Sequence, residues 1–185
     1  QDLVLAGLKA MAGQLKAGDK INLIVFNNYT RTLLEDFEVE KDDQTDFLEA
    51  IEGIRLAGGT NLQEAMSDAY AMALKHYDTR KMNRVLLLTD ARATEGNVDL
   101  QQIEAAAAAE NTRPIYLSGL GLGADHDTVR MNQITEAGHG AYYSVNTLTD
   151  MHEAMGNRFI PLMDAIARNV RFKLEFPGFM RHNKS

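Results

Sequence analysis

The sequence of 185 residues contains no cysteine. This excludes disulfides, thiolate zinc sites and cysteine nucleophiles together, and it leaves the redox compartment open. Positive charge is also scarce, because 19 Lys and Arg residues stand against 26 Asp and Glu residues, for a net charge of −7. Since phosphate binding needs clustered basic residues, we expect no nucleic acid partner.

Long apolar runs are missing as well. No stretch approaches the roughly 20 apolar residues that a membrane-spanning helix needs, and none resembles a signal peptide. We therefore expect no membrane insertion by this segment. The length suits one α/β domain with a substantial core. Because the sequence starts inside a predicted helix and ends soon after a predicted strand, we expect it to be a piece of a longer protein.

Short apolar runs predict buried strands. Val85–Leu88 is uninterrupted and Ile21–Phe26 is β-branched and mostly apolar. Strands without a wet face are typical of parallel sheets that are covered by helices on both sides. Segment 30–39 alternates loosely and carries acidic residues, which favours an antiparallel edge strand. Two further strands are predicted at 114–120 and 141–144.

Helical spacing of apolar residues separates these strands. Helices are predicted at 3–16, 43–54, 61–77, 99–109, 125–137 and 150–168. The alternation predicts an α/β fold, a doubly wound, mostly parallel, Rossmann-like sheet with helices on both faces and one antiparallel edge strand. Gly138 is predicted as a left-handed helix stop. Residues 1–168 form one predicted domain, and the strictly alternating stretch within 169–185 is interpreted as the start of a following β segment.

Two oxygen-bearing residues stand where a site is expected. Asp90 follows the buried strand at its carboxyl end, where ligands bind in open α/β sheets. Thr60 follows Gly58-Gly59, and glycines let a backbone come close to an ion. A hydroxyl and a carboxylate suit a hard cation such as Mg²⁺. Taken alone, however, the two residues are more simply a turn residue and a helix-preceding residue.

The order of the segments carries more information than either residue. The segments are Ile21–Phe26, Gly58-Gly59-Thr60-Asn61 before a long helix, Leu86-Leu87-Leu88-Thr89-Asp90, Ser118-Gly119-Leu120-Gly121 and Gly138-His139-Gly140-Ala141-Tyr142-Tyr143. To about residue 160, this order resembles the von Willebrand factor type A domain. The resemblance implies a metal-ion-dependent adhesion site, in which Mg²⁺ is held by an Asp-x-Ser-x-Ser loop, a Thr and an Asp. By position, Thr60 looks like that Thr, and Asp90 looks like that Asp, acting through water.

The sequence departs from this family at its start. No Asp-x-Ser-x-Ser occurs in residues 1–185, and Ala91 stands where the family often has Gly. In the family the motif belongs to a central strand before the first helix, so we expect the middle of the sheet to be unpaired here. Our hypothesis is that an upstream segment or a partner chain supplies this strand. Thr60 and Asp90 alone should bind Mg²⁺ poorly.

The resemblance also implies a function. It predicts a non-enzymatic module that binds another protein, with an acidic side chain of the partner on the ion (Mg²⁺, or Mn²⁺ or Ca²⁺). Loop position predicts a partner-binding rim formed by Asn61, Arg92, Thr94, Glu95 and Leu122. The alternating strand after Val170 resembles the β segment that follows this domain in bacterial, often envelope-associated members, so a cell-envelope location is expected.

Two alternatives remain open. The first is a scaffold that docks partners without metal because its site is degenerate. The second is a nucleotide- or small-molecule-binding enzyme, since Gly119-x-Gly121-x-x-Ala124 matches the dinucleotide fingerprint, although the acidic residue expected further on is missing. These glycines are more simply interpreted as a mobile rim beside Asp90. Asp125-His126-Asp127 is more simply a helix cap than a metal site. The absence of a Gly-x-Ser-x-Gly elbow gives a hydrolase little support.

Overall fold

A computed structural model describes residues 2–40, 44–54, 59–89, 98–108, 113–124 and 127–156. The elements within these ranges are α1 (Asp2–Ala12), β1 (Lys20–Phe26), β2 (Thr30–Glu38), α2 (Thr45–Glu52), α3 (Leu62–Lys75), β3 (Arg84–Thr89), α4 (Leu100–Ala108), β4 (Tyr116–Leu122), α5 (Thr128–Ala137), β5 (Tyr142–Val145) and α6 (Leu148–Met155). None of these helices is both long and apolar enough to cross a membrane. The predicted helix to residue 168, with its Pro161, and the β segment 169–185 lie outside the described residues after position 156.

The strands confirm the predicted α/β class. β3, β4 and β5 form a parallel sheet in that order, and β1 pairs antiparallel with β2. We call the β1–β2 pair the ribbon. Among the described strands, no backbone pairing joins the ribbon to the other three. This division agrees with the expectation that the middle of the sheet is unpaired.

The ribbon and the parallel sheet are nevertheless aligned, because β1 and β3 run in the same direction. Lys81, just before β3, donates a hydrogen bond to the carbonyl of Gly18, just before β1. The two strands therefore start at the same edge and run in the same direction. We call the opposite edge, at which β1, β3, β4 and β5 end, the upper edge. α3 runs down from this edge, because it begins after β1 and its end leads to the start of β3.

The core lies in two apolar clusters, one on each face of the sheet. One cluster contains α1, α2 and α6 residues together with Leu120, Leu122 and Val145. The other contains α3, α4 and α5 residues together with Leu87 and Leu117. Helices thus cover both faces, which accounts for the lack of alternation in the apolar runs that predicted β3.

The ribbon is tied to the end of α3 by charge. A bulge in β2 places Glu35 and Asp36 opposite Asn22, with Asp36 at φ 49°. Glu35 contacts Lys75 and the Nε2 of His76, and Asp36 accepts from Lys20 Nζ at 2.9 Å. Hydrogen bonds from Lys75 and Lys20 hold the pKa values of Glu35 and Asp36, respectively, below their usual range.

Three sequence-based details were wrong. α1 ends at Ala12 rather than at residue 16, because reverse turns follow at once. Gly138 has φ −84°, and His139 takes the left-handed conformation instead, at φ 50°. Glycine is nevertheless needed at 138, because a Cβ there would overlap the side chain of Leu117. Gly119 and Gly121 do not form a loop at the rim, since both lie inside β4 and are buried.

Gly140 provides a test of this close packing. A Cβ on Gly140 would overlap the backbone carbonyl of Leu117, so Gly140→Ala should lower the free energy of unfolding by about 2 kcal/mol or more. The control is Gly53→Ala, where φ is −73° and the nearest atom lies 3.5 Å from the new Cβ. It should change stability by less than about 1 kcal/mol. Equal urea midpoints for the two variants would contradict the packing described here.

The charged cluster predicts a pH dependence. Because the pKa values of Glu35 and Asp36 are lowered in the folded state, their contribution is present above the unfolded-state pKa values near 4 and is lost as pH falls through the folded ones. The double variant Glu35→Gln/Asp36→Asn should therefore lose less stability between pH 5 and pH 3 than the unmodified chain. Asn at 36 keeps the tolerance for positive φ. The measurement is the free energy of unfolding in urea at several pH values in this range, with the exposed Glu49→Gln as the control. If this free energy falls equally with pH in all three proteins, Glu35 and Asp36 make no such contribution.

Candidate functional site

Thr60 lies at the upper edge, as the sequence predicts. The backbone N–H of Asn61 donates to the carbonyl of Asn27 at 2.7 Å, and Asn27 directly follows β1. This bond holds the start of α3, and Thr60 before it, against the carboxyl end of β1. Thr60 itself is half-buried. Its location results from a local signal, the cap of α3, and from one long-range backbone bond.

The end of β3 lies at the same edge. Thr89 is the last residue of β3 and is buried, and Asp90 follows it in the sequence but lies outside the described residues. A cavity of about 1320 Å³ between β1 and β3 is lined by Gly59, Thr60, Thr89 and Gly123, among others. Thr60 and the strand that leads to Asp90 therefore border one space, although they are far apart in the sequence.

Asn61 caps α3. Its side-chain Oδ1 accepts from the N–H of Glu64 at 3.2 Å, and its Nδ2 donates to Glu64 Oε2 at 2.9 Å. The predicted capping residue is thus confirmed. Both polar atoms of its side chain are used within the helix start, so Asn61 contributes to the predicted rim chiefly by fixing the loop that carries Thr60.

Of the other predicted rim residues, one is buried and three lie outside the described residues. Leu122 is only 7% exposed and belongs to the core, so its side chain offers little surface to a partner. Arg92, Thr94 and Glu95, like Asp90, lie outside the described residues, and their roles stay predictions. Of the predicted rim, the described residues therefore leave Asn61, next to the predicted metal ligand Thr60.

Sequence reasoning missed a set of exposed apolar side chains. Five large apolar residues are exposed in the described ranges, and four of them follow the carboxyl end of a strand. We call these four the apolar collar: Tyr29, Leu100, Val129 and Leu148. Tyr29, at the turn of the ribbon, is 77% exposed. The other three lie in the first turns of α4, α5 and α6, where their helical pattern gave no sign of exposure.

Three acidic residues in the described part of the upper edge cap helices. Asp99 and Asp127 accept from backbone N–H groups at the starts of α4 and α5. Asp150 accepts from the N–H groups of Asn146 and Thr147, and these bonds lower its pKa. The capping role predicted at 125–127 is thus confirmed for Asp127.

The described residues alone do not complete a cation site. They contain no group of three or more His, Asp or Glu side chains placed to hold a metal ion. Thr60 supplies one oxygen ligand at most, whereas Mg²⁺ requires six oxygen ligands in near-octahedral order, several of them water. Any cation site here therefore needs ligands from beyond the described ranges.

The dinucleotide alternative loses its structural basis. Phosphate-binding glycines belong in the loop between a strand and a helix N-terminus. Gly119 lies within β4, and a Cβ there would come within 2.8 Å of Met131 and 2.9 Å of Thr135. The glycine therefore allows α5 to pack closely on the strand. This geometry argues against a nucleotide site.

Comparison with known proteins identifies the arrangement. Residues 1–144 match the von Willebrand factor type A domain family. Human inter-alpha-trypsin inhibitor heavy chain H2 is 26% identical over 171 residues, which is 89% of this chain. The pig protein of the same name is 25% identical over the same share. The chain spans only 18% of the length of these curated relatives.

Solved structures share the fold at low sequence identity. A von Willebrand factor type A protein from Catenulispora acidiphila has a TM-score of 0.74 at 15% identity, covering 88% of this chain and 38% of that one. BatB from Bacteroides thetaiotaomicron has a TM-score of 0.67 at 19% identity, covering 86% and 87%. Proximal thread matrix protein 1 from the mussel byssus, with a zinc-occupied MIDAS motif, has a TM-score of 0.60 at 14% identity, covering 83% and 39%.

Proposed function

Since this chain belongs to the von Willebrand factor type A domain family, we propose that it is a protein-binding module whose docking surface is the upper edge of its sheet. The family generally mediates protein–protein interaction. The observation that carries the proposal is the shared space at this edge, bordered by Thr60 and by the end of β3. Open α/β sheets bind their ligands at such an edge.

The apolar collar supports a protein as the partner. Exposed aromatic and aliphatic side chains are enriched at the centres of protein interfaces, and they cost solvation free energy when they stay in water. Four of the five exposed large apolar side chains in the described ranges gather around one edge, whereas the lower edge has only Leu74. A protein with apolar contact residues suits this edge better than a small polar ligand does.

The finer part of the proposal is a divalent cation, Mg²⁺ or Mn²⁺ or Ca²⁺. Thr60 and Asp90 would hold it together with an Asp-x-Ser-x-Ser motif from outside residues 1–185. When bound, such an ion offers an open position to a carboxylate of the partner. The zinc-occupied MIDAS motif of the mussel protein supports this reading by fold similarity. Thr60 would bind, and the Asn61–Asn27 bond would orient it.

We propose a role in binding rather than in catalysis, and a location in the cell envelope. The alternative is a scaffold that uses the same edge without a cation. It requires no ligands from beyond the described residues, which contain no group of three or more His, Asp or Glu side chains placed to hold a metal ion. The two readings differ in one measurable property, the effect of removing divalent ions.

Cation binding is tested by extending the chain. The extended protein, including the residues that precede Gln1 in its reading frame, should bind Mg²⁺ or Mn²⁺ in a calorimetric titration. Residues 1–185 alone should bind these ions at least tenfold more weakly because the ligand set is incomplete. Asp90→Ala and Thr60→Val in the extended protein should each remove binding and leave the unfolding midpoint nearly unchanged.

The control is Glu104→Ala, which removes an exposed carboxylate on α4, away from the upper edge. It should leave cation binding unchanged. Tight binding by residues 1–185, or retained binding in Asp90→Ala, would exclude the cation site as proposed. Retained partner binding in EDTA would instead favour the scaffold.

Tyr29 tests the docking surface separately from the ion. Tyr29→Ser removes a ring that is 77% exposed, so the unfolding midpoint should stay within error. Affinity for a partner purified with the extended protein should fall about tenfold or more, as for an aromatic interface residue. Leu74→Ser, at the opposite edge, is the matched control and should keep full affinity. Equal affinity of the two variants would show that the collar does not contact the partner.

A further inference from the structure

Asn27 joins the turn of the ribbon to the start of α3. It directly follows β1, and its backbone N–H donates to the carbonyl of Tyr29 at 2.9 Å. Its side-chain Oδ1 accepts from the N–H of Tyr29, also at 2.9 Å. Its carbonyl accepts from the N–H of Asn61 at 2.7 Å. The residue that closes the turn around Tyr29 is therefore also the residue to which the cap of α3 is bound.

A second bond joins the same two segments about two turns further along the helix. Thr30, the first residue of β2, donates through its hydroxyl to the carboxylate of Asp68 on α3. Asn27 and Thr30 stand on the two sides of the ribbon's turn, and each is bound to α3 at a different height. Two such points of attachment prevent the turn from sliding along the helix or rotating against it, which a single bond would allow.

Apolar packing lies beneath these hydrogen bonds. Leu62 and Met66, in the first turns of α3, are buried, and Phe26 at the end of β1 packs against the same apolar cluster. The turn of the ribbon and the start of the helix are thus held together by both kinds of contact. We call this unit, residues 26–30 with residues 60–68, the corner.

The corner carries one residue from each of the two proposed contacts. Thr60, the proposed cation ligand, directly precedes the cap of α3, and Tyr29 of the apolar collar lies in the turn. Two hydrogen-bonded steps connect them, from Asn61 to Asn27 and from Asn27 to Tyr29. A displacement of either residue must therefore displace the other or break a hydrogen bond, which costs free energy.

We propose that Asn27 and Thr30 are positioning residues that couple the two parts of the docking surface, so that a cation at Thr60 orders the turn around Tyr29 and a partner docked on Tyr29 strengthens cation binding. The inference rests on the proposed function, which makes Thr60 a ligand and Tyr29 a contact residue. Such coupling is reciprocal, because each ligand must change the affinity for the other by the same factor. The effect of the cation on the turn therefore measures the effect of the partner on the cation.

The first experiment uses the extended protein, with Mg²⁺ alone as the probe. Thr30→Val removes the hydroxyl that donates to Asp68 and keeps the shape of the side chain, so Mg²⁺ affinity in a calorimetric titration should fall about fivefold or more. Thr30→Ser keeps the donor and should restore the affinity of the unmodified protein. The matched control is Thr32→Val, which makes the same change at an exposed position further along β2 and should leave the affinity unchanged.

Amide exchange distinguishes positioning from a general effect on stability. In the unmodified extended protein, Mg²⁺ should slow exchange of the N–H groups of Tyr29 and Asn61 together, by about fivefold or more. In Asn27→Ala, which removes the acceptor of the Tyr29 N–H, Mg²⁺ should slow exchange at Asn61 only. Asn27→Asp keeps this acceptor and should behave like the unmodified protein. A change in stability alone would alter both N–H groups equally, with and without Mg²⁺.

Three results would overturn the coupling. One is equal Mg²⁺ affinity of Thr30→Val and the unmodified protein, and another is a loss of affinity that Thr30→Ser does not restore. The third is slower exchange at Asn61 without any change at Tyr29 in the unmodified protein. If Thr30→Val does not fold, the two Asn27 variants decide the question. An extended protein that binds no Mg²⁺ at all would instead refute the cation part of the proposed function, and the coupling with it.

Discussion

The structure depends on how the ribbon is held beside a sheet to which it has no backbone pairing in the described residues. A two-stranded ribbon is marginally stable in water without further packing. Here α3 supplies that packing, because it contacts both β1 and β2, and Phe26 of β1 packs against the apolar cluster that contains Met66. The contact between Glu35 and His76 also links the ribbon to the end of α3, although ion pairs at the surface contribute little stability by themselves. The ribbon is therefore positioned by a helix rather than by a sheet.

This arrangement also positions the candidate site. Thr60 owes its place to the same helix, because the cap at Asn61 and the bond to Asn27 fix where α3 begins. The end of β3 owes its place to pairing with β4. A site that takes residues from both the ribbon side and the parallel sheet depends on the distance between β1 and β3. That distance is the width of the cavity between β1 and β3, which opens beside Thr60 and Thr89.

Local patterns predicted the elements well. Apolar runs gave the positions of β1 and β3, and the Asn61–Glu64 spacing gave the start of α3, since both are signals contained within a few residues. The predicted burial of these strands was wrong for β1, which has no buried residue, and only partly right for β3, in which Leu87 and Thr89 are buried. The identity of the family was also predictable, because it follows from the order of several weak motifs. The location of Thr60 at the carboxyl end of β1 was predictable only through that order, as the bond to Asn27 joins residues far apart in the sequence.

The features that sequence could not give are those set by a neighbour in space. Gly138 was expected to stop a helix by its left-handed conformation, but it is needed for the approach of Leu117, and His139 takes the turn. Gly119 was expected at a rim and instead lets α5 contact β4. Tyr29 and Val129 are exposed because nothing in the described ranges covers them, which no periodicity encodes. Glycine and exposed aromatic residues are thus ambiguous in sequence, since each is explained by what approaches it. At the upper edge this ambiguity concerns function. The sequence pointed to Thr60 and Asp90 as ligands, whereas the structure adds the exposed side chains of the apolar collar at the same edge.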